Sequence, residues 1–207
     1  MTDVIPFLRA FLTNPRQVGA IAPSGAALAD AITAEISSDS APVIELGPGT
    51  GSFTQRLIER GVPEDRLTLI EYGPDFADML QQRFSQARVI RMDAARLKQV
   101  QLFDDAEKAG AVISGIPLLA MSPRQIFGIL NGVFHHLRAD GAFYQFTYGP
   151  RCPVPRAILD RLGLRAVRIG RALVNVPPAT VYRISRHAQP TRGRAAHPGR
   201  PQPIQAA

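Results

Sequence analysis

An α/β fold built on a mainly parallel sheet is the class this sequence predicts, and three observations predict it. Short β-branched runs alternate along the chain with stretches of helical period, the pattern of strands joined by crossover helices. The first such run, Val43-Ile44-Glu45-Leu46, ends in a glycine-rich turn and then enters a helix, so the turn sits at the carboxyl end of a strand, where open α/β sheets bind ligands. With 207 residues and 45% hydrophobic composition, the chain can bury one good core and has little left for a second.

In chain order, residues 6–12 and 24–36 read as helices ahead of the first strand. Strands are expected at 42–46, 66–72, 88–92, 109–114, 141–148, 164–169 and 181–186, with helices at 53–60, 75–84, 123–137 and 155–162. Gly61 stands where a C-terminal helix cap belongs, and Ser122 precedes Pro123 as an N-cap followed by a first-turn proline. Residues 187–207 are rich in Pro, Arg, Gln and Ala with almost nothing apolar to bury, and read as a disordered tail. Three parts are expected: an N-terminal helical segment (1–40), the α/β domain (41–186) and the tail (187–207).

The formal net charge of +7 is carried almost entirely by arginine, since Lys98 and Lys108 are the only lysines. A basic balance suits an anionic membrane surface or nucleic acid, both of which present phosphates. No stretch reaches the ~18 apolar residues of a bilayer span, and the N-terminus lacks the order of a secretory signal, so a cytoplasmic location is expected. Cys152, the one cysteine, has no partner for an intramolecular disulfide and reads as an inert small residue.

The glycine turn runs Gly47-Pro48-Gly49-Thr50-Gly51, with Ser52 where a dinucleotide fingerprint would want glycine. Glycines there let the backbone turn sharply and approach a ligand without Cβ clashes. Glu71 ends the next strand, where an acid can accept hydrogen bonds from ribose hydroxyls, and Tyr72 follows it. Asp93 lies just past the third strand, placed to meet an adenine amino group while the Ala94 N–H meets a ring nitrogen. Three elements in order at strand ends are far more specific than a glycine turn alone.

Over residues 43–114 by motif, and 2–186 by element order, the sequence resembles the class I S-adenosylmethionine-dependent methyltransferases. The resemblance implies a Rossmann-like, seven-stranded, mostly parallel sheet with an antiparallel last strand and helices on both faces. It implies S-adenosylmethionine as cofactor, with S-adenosylhomocysteine as product and no metal. Gly47, Gly49 and Gly51 would shape the methionine side of the pocket, and Glu45 would orient the loop or the cofactor's amino group. Glu71 would hold the ribose, with Tyr72 beside it, and Asp93 and Ala94 would hold the adenine; Ser114, at the end of the fourth strand, is a candidate cofactor-binding and catalytic residue.

Amine methyltransferases acting on adenine typically carry Asn or Asp, then Pro, then an aromatic after the fourth strand. Here the run is Ser114-Gly115-Ile116-Pro117-Leu118, and a leucine where a base needs a stacking platform argues against adenine. Backbone carbonyls around Gly115 and Ile116 are free by sequence to accept from a substrate amine. The whole chain is most similar to the bacterial phospholipid N-methyltransferases of the PmtA type, on residues 14–24, 144–153 and 175–179. That resemblance implies successive N-methylation of phosphatidylethanolamine toward phosphatidylcholine by a monomer docked peripherally on the inner face of the cytoplasmic membrane, with no nucleic-acid partner. The competing readings are an RNA adenine N6-dimethyltransferase and a non-catalytic S-adenosylmethionine-binding protein.

Along the first helix, Val4, Phe7, Leu8, Phe11 and Leu12 share one face while Arg9, Thr13 and Arg16 share another, the layout of a helix lying in a lipid interface or capping its own core. Tyr148, at the end of the fifth strand, is the first candidate to position the amine, with Tyr144 and Tyr182 next. Aromatic faces also attract methylated ammonium products. Arg151 is a candidate donor to a lipid phosphate. His135 and His136 end a helix, where dipole and capping account for them.

Overall fold

A computed structural model describes residues 23–104, 107–173 and 178–187. The helix expected at 6–12, the candidate residues Phe7, Arg9, Phe11 and Arg16, and the tail from 188 onward lie outside the described residues. So does most of the 175–179 motif.

The elements run α1 (Pro23–Thr33), β1 (Val43–Leu46), α2 (Ser52–Glu59), β2 (Leu67–Glu71), α3 (Pro74–Arg83), β3 (Arg88–Arg91), β4 (Ala109–Ser114), α4 (Pro123–His136), β5 (Leu137–Thr147), α5 (Arg156–Arg161), β6 (Leu164–Ala172) and β7 (Ala179–Arg186). The strands form one seven-stranded sheet in the order β3-β2-β1-β4-β5-β7-β6. All neighbours from β3 to β5 are parallel, while β7 runs antiparallel to both β5 and β6. The Rossmann-like methyltransferase sheet implied by the sequence is therefore present, antiparallel last strand included.

Both faces are covered, which is why β1 and β2 are buried at every residue rather than at alternate ones. Leu28 and Ile32 of α1, Leu57 of α2 and Leu80 of α3 pack on Val43, Leu69, Ile113 and Val181. On the opposite face, Ile126, Ile129, Leu130 and Val133 of α4 and Ile158 and Leu159 of α5 pack on Ile44, Leu46, Ile70, Val112, Phe143 and Ile184. Helix α4 opens with the expected signals: the Ser122 side chain accepts from Gln125 N, Gln125 Oε1 accepts from Ser122 N, and Pro123 opens the first turn. Between β3 and β4, residues Ala94–Gln99 form a 3-10 turn laid against α4. It comes so close that a Cβ on Gly128 would stand 2.9 Å from Ala95 O, and one on Gly132 2.9 Å from Lys98 N.

Strand β5 differs most from expectation. It is expected at 141–148, but the strand begins at Leu137, which is also the C-cap of α4, and ends at Thr147. Its register with β4 slips between Ala109↔Leu137 and Ala111↔Ala142, absorbing the extra residues as an irregularity inside the ladder. One carbonyl in the last turn of α4 and the first two of β5 are met by Arg186 of β7. Its guanidinium donates to Phe134 O, to Arg138 O at 2.6 Å and to Leu137 O at 3.4 Å, and lies over the Phe134 ring. Replacing it with methionine strands these carbonyls, so Arg186→Met should lower the urea unfolding free energy by about 2 kcal/mol. Arg165→Met, which removes one long bond from an exposed side chain to Ser185, should change it by less than about 0.5 kcal/mol.

Candidate cofactor and acceptor site

The glycine turn leaves β1 through Gly47, whose N–H donates to Ile70 O at 2.8 Å, and closes with Gly51 N to Pro48 O at 2.9 Å. All three of its glycines have positive φ: +64° at Gly47, +56° at Gly49 and +81° at Gly51. Their surroundings separate their roles. A Cβ on Gly51 would meet the Phe84 ring at 2.5 Å, and one on Gly47 would meet Ile116 Cγ1 at 2.9 Å, whereas one on Gly49 would meet nothing within 4 Å. Gly47 and Gly51 are thus set by packing, and Gly49 faces open space at the end of the sheet, where a ligand can approach backbone. Arg83 Nη1 ties the turn to α3 by donating to Thr50 O at 2.8 Å.

Glu71 organises this end of the molecule. Its Oε1 accepts from Tyr72 N at 2.8 Å and Gly73 N at 2.9 Å, and its Oε2 accepts from Gly49 N at 3.2 Å. With two acceptor positions per oxygen, Oε2 keeps one for a ligand, enough for one ribose hydroxyl rather than both. Tyr72 beside it is 76% exposed, leaving an aromatic face uncovered. Asp93 Oδ1 caps the 3-10 turn through Ala95 N at 2.9 Å, and Ala94 opens that turn with its N–H outside the turn's own hydrogen bonds.

Behind the turn, Glu45 is fully buried. Thr54 Oγ1 donates to its Oε2 at 2.6 Å, and Oε1 has no partner among the described residues. Burial pushes its carboxyl up to about 7, against the Thr54 hydrogen bond, with the negative Glu71 adding to the rise. None of Glu45, Glu71 and Asp93 belongs to an ion pair among the described residues. Three acids without a cation, in a chain of net charge +7, suit a ligand that is itself positive, as the sulfonium and ammonium of S-adenosylmethionine are. No group of three or more His, Cys, Asp or Glu among the described residues could hold a metal ion.

The acceptor side lies between β4 and α4. Ser114 is fully buried and its Oγ accepts from Ile116 N at 3.2 Å. Gly115 presses on the cofactor turn: its N–H donates to Leu46 O at 2.8 Å, and a Cβ there would stand 2.4 Å from Gly47 O. The Ile116 carbonyl, open by sequence to a substrate amine, already accepts from Leu118 N and from Gln145 Nε2, each at 3.0 Å. Leu118 is buried in the core and offers the site no surface.

The tyrosines part company. Tyr148 is half-buried at the carboxyl end of β5, edge-on to Phe146, which is edge-on to Phe53 in the first turn of α2. This brings Tyr148 to the glycine-turn side of the sheet. Tyr144 is buried deeper on that face, its hydroxyl donating to Glu35 at 3.3 Å beside Arg183, and burial with the Glu35 charge pushes it up to about 12. Tyr182 lies on the other face, across from Gln145. Arg151 is exposed after β5. His136 is buried, bonded to Leu97 O at 3.0 Å and lowered by burial, a core histidine. Sequence reading missed Thr54 and Gln145, although a lone amide inside the apolar run Phe143-Tyr144-Gln145-Phe146 is itself a signal that a buried partner exists.

Fold and site together define an S-adenosylmethionine-dependent methyltransferase of class I. The sequence model of the family described as ribosomal RNA adenine dimethylase matches residues 8–127, more than half the chain, and the protein belongs to that family. It is 31% identical over 157 residues to an ornithine lipid N-methyltransferase of Singulisphaera acidiphila, a match covering 72% of this chain and 80% of that one. It is 36% identical over 107 residues to the ribosomal RNA small subunit methyltransferase A of Anaeromyxobacter dehalogenans, covering 47% of this chain and only 36% of that protein's length. Among solved structures, the magnesium protoporphyrin IX methyltransferase of Synechocystis PCC 6803 with bound S-adenosylmethionine superposes with a TM-score of 0.61 at 16% identity, over 79% of this chain and 80% of that one.

Two substitutions test the acid cluster. Glu71→Ala frees three amides and removes the acceptor position that Oε2 keeps open, so, if that position receives the ribose, calorimetry should find S-adenosylmethionine affinity reduced at least tenfold in a folded protein. Glu45→Gln tests the buried carboxyl. The folded state keeps a proton that the unfolded chain loses near 4.5, so wild-type stability falls as pH rises through that value toward about 7 and is level above. The variant lacks this loss, and between pH 5 and pH 8 its unfolding free energy should shift relative to wild type by about 2 kcal/mol in its favour. A difference that stays flat with pH would refute the shift.

Proposed function

We propose that this protein N-methylates the primary amine of a membrane lipid head group, phosphatidylethanolamine first and its methylated intermediates after it. The observation that carries the reading is the acceptor loop. An adenine-acting site needs an amide or carboxylate side chain and a stacking ring there, but Gly115 has no room for a side chain against Gly47 O, and Leu118 faces the core. The ornithine lipid N-methyltransferase relative supports a lipid amine as the acceptor class. The RNA reading draws on family membership, and the assay below separates the two.

In this reading Gly49, Glu71, Tyr72, Asp93 and Ala94 hold the cofactor, with Glu45 behind the turn, and the cofactor supplies a methyl group on a cationic sulfur. The chain's own part is alignment and exclusion of water, since methyl transfer is an in-line displacement by the amine lone pair. An alkylammonium has a pKa of ~10.4, so the site must favour its neutral form, and an apolar rim of Phe53, Phe146 and Tyr148 does so by desolvation. Tyr148 positions the amine and its face receives the methylated cation. Arg151 reaches for the lipid phosphate. No described helix is long and apolar enough to cross a membrane. Docking is assigned to the N-terminal segment bearing Phe7, Arg9, Phe11 and Arg16, as a peripheral association of the monomer with the anionic inner face of the cytoplasmic membrane.

Radiolabelled S-adenosylmethionine offered with anionic vesicles containing phosphatidylethanolamine, vesicles containing ornithine lipid, and unmethylated ribosomal RNA should place label in lipid. Label in RNA alone would overturn the reading. Replacing Phe7 and Phe11 with serine should release the protein from sedimenting vesicles and suppress lipid labelling without changing cofactor affinity. In the same assay Tyr148→Ala should cut kcat roughly tenfold or more, within the range of a lost positioning contact, while cofactor Kd stays within about twofold. Unchanged turnover removes Tyr148 from the site.

A further inference from the structure

Gln145 is the one fully buried amide of β5, and its surroundings fix its orientation. Nε2 donates to Ile116 O at 3.0 Å and to Phe146 O at 2.9 Å. Both neighbours are carbonyls and can only accept, so the opposite orientation of the amide would set oxygen against oxygen. The cost falls on Oε1, which is buried with no partner among the described residues. An apolar side chain would avoid burying an unpartnered carbonyl. What an apolar side chain lacks is Nε2.

We propose that Gln145 is a positioning residue for methyl transfer: by holding the Ile116 carbonyl from the neighbouring strand, it fixes the β4–α4 loop against the cofactor turn and so sets where the acceptor amine rests. At Gly115 and Ile116 the other close restraints come from β1, β4, the loop and the facing turn: Ser114 Oγ to Ile116 N, Leu118 N to Ile116 O, Gly115 N to Leu46 O, and the packing of Ile116 on Gly47. Farther along, Leu118 is anchored in the core and Leu119 lies beside Gly149. Among the described residues, Gln145 is the one that gives the Ile116 carbonyl a side-chain hydrogen bond from the sheet beyond β4. It stands directly across from Ser114 on β4 and Tyr182 on β7. It thereby couples the acceptor loop to β5, the strand that Tyr148 follows. A small displacement of this loop changes the approach of the amine to the methyl carbon, where a 1 Å error costs on the order of a hundredfold in rate. Gln145 touches neither ligand; it acts through the Ile116 carbonyl.

The inference rests on the lipid-amine reading only for its choice of acceptor. Gln145→Leu and Gln145→Met keep the bulk and remove the donor. Both should bind S-adenosylmethionine within about twofold of wild type, turn over phosphatidylethanolamine vesicles roughly tenfold to a hundredfold more slowly in kcat, and exchange the Gly115, Ile116 and Leu118 amides faster. Gln145→Glu adds a signature that simple loss of packing does not produce. Ionised, it sets the carboxylate oxygen that replaces Nε2 against both carbonyls, and only the protonated acid can donate, to one of them, so its kcat relative to wild type at each pH should rise as pH falls. Wild-type kcat in the Leu and Met variants, a kcat loss matched by an equal loss of cofactor affinity, or a pH-independent ratio in the Glu variant would each overturn the proposal. If wild-type protein labels ribosomal RNA and not vesicles, the lipid reading falls; the same kcat-against-affinity split, read on RNA, and the exchange of the three amides then decide the role of Gln145.

Discussion

One carboxylate sets the geometry on which the rest of the site depends. Glu71 ends β2 with its side chain turned back across the sheet edge, gathering the amides of Tyr72 and Gly73 from its own strand exit and the amide of Gly49 from the neighbouring turn. Charge-assisted bonds to backbone N–H groups are the stronger kind, and a buried carboxylate without a cation needs them. By spending three of its acceptor positions on protein, Glu71 makes β1 and β2 present their ends as one surface. Glu45 lies behind the turn, kept near the boundary between its charged and neutral forms by burial.

Much of this arrangement can be read from the sequence because its causes are local. Helix α4 is written in Ser122, Pro123 and Gln125, β4 in a run of small and β-branched residues, and the cofactor turn in three glycines followed by acids at the next two strand ends. What escaped reading depends on contacts distant in sequence. The start of β5 at Leu137 is invisible locally, since Ala139-Asp140-Gly141 has turn chemistry; only pairing with β4 and the grip of Arg186, about fifty residues on, make it strand. Tyr144 and Tyr148 look alike as strand tyrosines, yet one reaches Glu35 of the segment after α1 and the other the first turn of α2. The saturation of the Ile116 carbonyl likewise needed Gln145 in three dimensions.

Family membership bears on the first part of the chain only. The family match ends at residue 127, inside α4, so it covers the cofactor half and the acceptor loop but not β5, β6 and β7. Those later strands carry Gln145, Tyr148 and Tyr182. One fold serves unlike acceptors when the donor chemistry is constant while the partner of the methyl group is chosen elsewhere.

The pair of glycines on α4 has a consequence for how errors spread through the molecule. Gly128 and Gly132, one helical turn apart, form a bare groove in which the 3-10 turn after β3 lies directly on helix backbone. Asp93 caps that turn, so the wall proposed for the nucleoside is levelled from below by two missing side chains. A single methyl group added at either glycine acts like a shim under a bearing, tilting a remote wall while every ligand-facing residue keeps its identity. Inherited loss of function at this pair would therefore resemble a cofactor-affinity defect, although neither glycine belongs to the cofactor site.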